Sequence, residues 1–118
     1  MNIETLLAKL VEGNAGASDF ALCSTQSNCS RAEVLNAVSC LIATRFLNQN
    51  ITYEMADAAM NAVWAAMLEY TSENNLPLVE PCYTIYLAFD EGEYDHGDGA
   101  DPVEKYTKPL LLELVDRT

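Results

Sequence analysis

The chain's only histidine, His96, stands in the run Asp90-Glu91-Gly92-Glu93-Tyr94-Asp95-His96-Gly97-Asp98-Gly99-Ala100-Asp101, which holds six acids and three glycines in twelve residues. Carboxylates at that density can gather a hard cation, because calcium and magnesium need several converging oxygens and glycine lets a loop curl around them. Asp90, Asp95, His96, Asp98 and Asp101 are the candidate metal ligands on this reading, and a small metal-assisted hydrolase is the enzyme it would make. The EF-hand register fails. With Gly97 at the loop's glycine position, Gly92 and His96 fall where acids belong, and with Gly99 there, Tyr94 and His96 do. The competing reading is a solvated acidic loop that meets a partner and holds neither metal nor cofactor.

Nucleophilic catalysis would need a Ser or Cys beside a base. Cys82 and His96 lie at opposite ends of a helical segment, roughly 20 Å apart at 1.5 Å per residue, so they do not pair, whereas Cys23 or Cys29 with His96 stays open. Cys23 and Cys29 lack the second ligand pair that a structural zinc site needs. In a reducing compartment all four thiols, Cys23, Cys29, Cys40 and Cys82, read as free. Neither G-x-x-x-x-G-K-[ST] nor G-x-G-x-x-G occurs. Paired carboxylates are always at hand in so acidic a chain and decide nothing. No catalytic residue is assigned.

Tyr94 is the aromatic residue with a second role. Set between Glu93 and Asp95 after a helix-ending glycine, it has the composition of a binding hot spot for a basic protein. Glu91, Glu93, Tyr94, Asp95, His96, Asp98 and Asp101 form the candidate partner-binding set. Trp64, Phe89 and one of Tyr83 and Tyr86 read as ordinary core.

Charge is distributed unevenly. Between Phe46 and Glu104 there is no Lys or Arg and there are twelve of the 18 acids, so this segment carries the whole net charge of -12. Such a field repels phosphate backbones and anionic membranes and attracts basic surfaces, although acidity can also serve solubility alone. A chain of 118 residues that is 50% hydrophobic and 20% charged folds, and its size implies one domain over residues 1–118. The amino terminus shows no basic region followed by an apolar run, and the longest apolar stretch, Ala62 to Leu68, is far short of the ~20 residues that span a bilayer. A cytoplasmic location is the expectation.

Helical periodicity must position these residues. Ile3, Leu6, Leu7, Leu10 and Val11 form one stripe of a helix over 2–12 that Gly13 stops. Residues 13–29 read as an irregular connection relieved by a short turn over 18–23 that pins Phe20 and Leu22. Ser30-Arg31-Ala32-Glu33 is a capping box, opening a helix to about Asn48. Thr52 caps the next, where Met55, Ala56, Ala59, Met60, Val63, Trp64, Met67 and Leu68 make a stripe broad enough for a central helix, with Asp57, Asn61 and Glu69 on its wet side. Asn74-Asn75-Leu76-Pro77 ends it. Pro81 opens a helix to about Glu91 with Gly92 as its cap, the alternative being a strand, since Tyr83, Thr84, Ile85, Tyr86 and Phe89 are β-formers. Asp101-Pro102-Val103-Glu104 caps a short turn, and Pro109 should separate it from a last helix carrying Leu110, Leu111, Leu114 and Val115.

The expected architecture is an all-α, compact single-domain bundle of about five helices, with an acidic, glycine-rich loop over 92–101. The function this implies is non-enzymatic binding of a basic protein through an acidic face built from the wet side of the helix that Thr52 caps and from residues 90–104, by analogy of size and charge with immunity proteins and inhibitors. A helical module that assembles as a homodimer is the remaining alternative.

Overall fold

The Ser30 hydroxyl accepts the backbone N–H of Glu33, and the Glu33 carboxylate accepts that of Ser30, both at 3.1 Å. This reciprocal cap starts α3 (Arg31–Leu47) where the sequence places it. The computed structural model describes residues 1–116, with side chains to Leu114; Val115, expected on the last apolar stripe, lies outside the described side chains, and Arg117 outside the described residues. The other α-helices are α1 (Ile3–Val11), α2 (Ala17–Ser27), α4 (Tyr53–Asn74), α5 (Cys82–Glu91) and α6 (Lys108–Asp116), with a π-helical turn over Val103–Thr107. No strand occurs among the described residues, so residues 82–89 are helical despite their β-formers.

α3 packs against every other α-helix, which makes it, rather than the more apolar-looking α4, the axis of the bundle. Val34, Leu35, Val38 and Ile42 are fully enclosed along it. α4 buries Ala56, Ala59, Met60, Val63 and Met67, but Met55 and Leu68 are exposed. Its apolar stripe is therefore narrower than the sequence implied, and its outer face is left uncovered. At one end of the bundle Phe46, Tyr53 and Phe89 join α3, α4 and α5, with ring centroids 5.4 to 6.0 Å apart. Edge and stacked contacts of this kind contribute about 0.5–1.5 kcal/mol each beyond the area they bury.

One segment differs from expectation. Residues 17–27 form three turns of helix instead of a short turn in an irregular connection. Phe20 and Cys23 point inward, whereas Leu22 is 43% exposed. Asp19 holds the helix start: its carboxylate accepts the Gly16 N–H at 2.8 Å and pairs with Lys9 of α1 at 2.7 Å. Asn28, in the left-handed region at φ 54°, ends it. At the other end of the chain the expected short turn, Val103–Thr107, and the separate last helix, α6, are both present, and because Lys108 keeps helical angles Pro109 leaves no break between them. The Lys108 N–H bonds to the carbonyl of Val103 five residues back, and the extra residue in this wide turn gives the Pro109 ring room that a regular helix would deny it.

Candidate functional site

α4 and α5 lie antiparallel, as their paired contacts show: Tyr53 meets Phe89, and further along Trp64 meets Tyr86 and then Tyr83. On α4, Asp57, Asn61, Trp64 and Leu68 recur at spacings of four, three and four, and so share one face. Tyr83, Tyr86, Leu87 and Asp90 do the same on α5. The Trp64 ring stacks on Tyr86 at 4.4 Å with planes 6° apart, and on Tyr83 at 5.6 Å and 22°. All three rings are half-buried, and Leu68 and Leu87 beside them are 41% and 39% exposed. Trp64 is thus part of a surface, not of the interior.

Three carboxylates gather at one end of this face. Partial burial, followed by hydrogen bonding to Glu93 and repulsion from Glu93 and Asp90, pushes the Asp57 carboxyl up to about 7. Burial and Glu93 also raise Asp90. Glu93 is held low, chiefly because Asp57 hydrogen-bonds to it, with Asp90 and Asn61 adding to the effect. Below about pH 7 Asp57 therefore keeps a proton that it donates to an ionised Glu93, because three like charges this close hold a proton among them. Burial and then the same three acids, Asp90 foremost, raise the Tyr86 phenol, which places the aromatic stack next to the acids.

The loop that follows is held by its own side chains. The Asp95, Asp98 and Asp101 carboxylates accept the N–H groups of Gly97, Ala100 and Val103 at 2.8 to 3.0 Å, each two residues on. His96 is sandwiched between Tyr94 and Tyr106, with centroid distances of 4.3 and 3.8 Å. Its Nε2 lies 2.8 Å from the Glu91 carbonyl, to which it donates. The second Asp98 oxygen accepts from Lys105 and from the Tyr106 hydroxyl at 2.6 Å each, and these partners hold its carboxyl well below the usual range.

The C-terminal carbonyls of α5 are closed in the same way. Thr107 donates to Ala88 at 2.7 Å, Tyr53 to Phe89 at 2.6 Å and His96 to Glu91. Gly92 is buried under the first two hydroxyls.

The sequence-identified residues are therefore divided by the fold. Glu93 joins Asp57 and Asp90. Tyr94 is half exposed and donates to Glu91. Asp95 and Asp101 shape the loop, Asp98 faces Lys105 and Tyr106, and His96 fills the ring stack. Among the described residues no group of three or more His, Cys, Asp or Glu is placed to hold a metal ion. The proposed ligands Asp90, Asp95, His96, Asp98 and Asp101 each serve a different contact instead of converging. No hydrogen bond joins His96 to a cysteine among the described residues. Trp64 and Tyr86 were missing from the sequence-derived site, as were Lys105 and Tyr106, whereas Asp57 and Asn61 belonged to it through the wet side of their helix. The spacing of Asp57, Asn61 and Trp64 was the available signal for the first group.

No family model matches the chain, no curated protein matches it, and no solved structure does. Among the described residues no helix is long and apolar enough to cross a membrane.

Proposed function

We propose that the protein is a non-enzymatic interaction domain that binds a basic protein partner through the α4–α5 face and the adjoining acidic loop. The carrying observation is the crowding of Asp57, Asp90 and Glu93 with no Lys or Arg among the described residues to neutralise them. Like charges held together cost the free protein stability, and a partner's cation recovers that cost on binding. The bases among the described residues are spent elsewhere: Lys9 on Asp19, Arg45 on Glu4, Lys105 on Asp98, Lys108 on Glu104, and Arg31 over the Tyr70 ring. Among the described residues, no acid from Glu54 to Asp95 has a Lys or Arg in an ion pair. Glu91 at the end of α5 and Glu93, Tyr94, Asp95 and Asp101 of the loop extend the same surface, whereas Asp98 is engaged by Lys105 and Tyr106 and His96 by the ring stack.

Retention of lysate proteins on immobilised protein, at about 0.01 M and about 0.15 M salt, tests this reading, because the Debye length falls from ~30 to ~8 Å between them. Basic proteins held at low salt should be released at high salt and be retained poorly by a Glu93→Gln/Asp95→Asn variant. Identical retention by wild type and variant, or none at either salt, would refute the proposal and leave acidity as a solubility device.

A further inference from the structure

We infer that the stacked rings of Trp64, Tyr83 and Tyr86 are the seat for an arginine side chain of that partner, so that the face selects arginine over lysine. The inference rests on the reading above and specifies the chemistry that the face takes. Three half-buried rings, packed on the core from outside, with the exposed Leu68 and Leu87 at their margin, form an apolar surface on α4 and α5 that the described residues leave partly open. Charge complementarity names the occupant. Every charged residue of α4 and α5, namely Glu54, Asp57, Glu69, Glu73, Asp90 and Glu91, is an acid, so an acidic or neutral apolar segment gains nothing there that a basic one does not.

The shape of the surface then distinguishes between the two cations. A guanidinium is planar and weakly hydrated, lies flat on aromatic rings and keeps its N–H edge for carboxylates, whereas an ammonium is a compact, strongly hydrated point charge. Flat rings bordered by Asp90, Asp57 and Glu93 offer both halves of the first pattern: a face for the plane and oxygens for the edge. Lysine could use the oxygens but would lose hydration over the rings.

Trp64 is the only tryptophan, so its emission reports on this face alone. The full chain would be titrated with an arginine-rich peptide and with the same peptide carrying lysine at every arginine position. The expected result is a saturable change in Trp64 emission, with the arginine peptide at least about fivefold tighter. Tyr86→Leu should reduce the arginine peptide to the lysine level while leaving the lysine affinity unchanged, and Tyr83→Leu should act in the same direction more weakly. Equal affinities of the two peptides for the wild type would overturn the inference without need of any variant. If both bind equally and salt weakens both, the arginine seat fails while the acidic face survives. If neither binds, the arginine seat fails as well, and the retention experiment alone judges the wider reading.

Discussion

Gly92 is required for space, not for conformation. Its φ of -81° suits any residue, but a Cβ would stand 2.8 Å from the Tyr53 hydroxyl and closer still to Thr107 Oγ1. Neither hydroxyl can retreat without abandoning the α5 carbonyl it serves. Gly92→Ala should therefore cost about 1–3 kcal/mol in urea denaturation, the scale of overpacking a close-fitted site. Gly16→Ala, with nothing within 4 Å of the new carbon, should cost at most about 1 kcal/mol as a weakened N-cap. Asp57 makes the opposite case, a residue that works against the fold. Its carboxyl titrates at about 7 in the folded protein against an ordinary value of 3.8, so the folded state holds an extra proton across that window. Stability then falls as pH rises from about 4 to 7, and the full penalty applies above it. Asp57→Asn should raise the melting temperature at pH 8 and leave it nearly unchanged at pH 4. A variant less stable than wild type at pH 8 would contradict the crowding on which the proposed function stands.

At the scale of elements, legibility in the sequence followed local signals. The Ser30–Glu33 box, the Thr52 cap and the Asn75 stop each lie within four residues of the turn they control, and the sequence displays them directly. α2 is different: Ser, Thr and Gln fill its surface, and Phe20 and Cys23 are its only fully buried side chains. So few apolar positions make no recognisable period, and its stability comes from packing on α1, α3 and α4. The helix also sets the thiol chemistry. Cys23 is enclosed, with its Sγ against the Ser27 hydroxyl, so it should resist a thiol reagent until the protein unfolds. Cys82 should resist as well, since it is enclosed beneath Ser39, and burial pushes its thiol up to about 11. Cys29 is exposed and should react first, ahead of the half-buried Cys40. Rapid reaction of Cys23 would mean that α2 opens readily. The site was half legible for a related reason. Acid density in 90–101 is visible along the chain, but the meeting of Asp57 with Glu93 and of His96 with Tyr106 depends on how α4, α5 and the π-helical turn come together.

For the whole molecule the question is whether the net charge of -12 weighs on the free protein. Two salt effects oppose one another. Screening weakens ion pairs such as Lys9–Asp19, Arg45–Glu4, Lys105–Asp98 and Lys108–Glu104. It also weakens the repulsion among the acids of residues 54–95, which those bases leave unneutralised. Exposed pairs are worth about 0–1 kcal/mol each, and often nothing measurable. The repulsion involves many more charges, held on two adjacent helices and a fixed loop, and self-repulsion of this kind destabilises a compact state. Repulsion should therefore dominate. The melting temperature is expected to rise by a few degrees between about 0.01 M and about 0.15 M sodium chloride. An Asp57→Asn/Asp90→Asn variant should start higher and gain less, because part of what salt relieves has been removed. A melting temperature that falls with salt would show that the ion pairs outweigh the acidic face. The free protein would then hold no electrostatic strain for a basic partner to relieve, and the affinity proposed for that face would have to come from its aromatic rings alone.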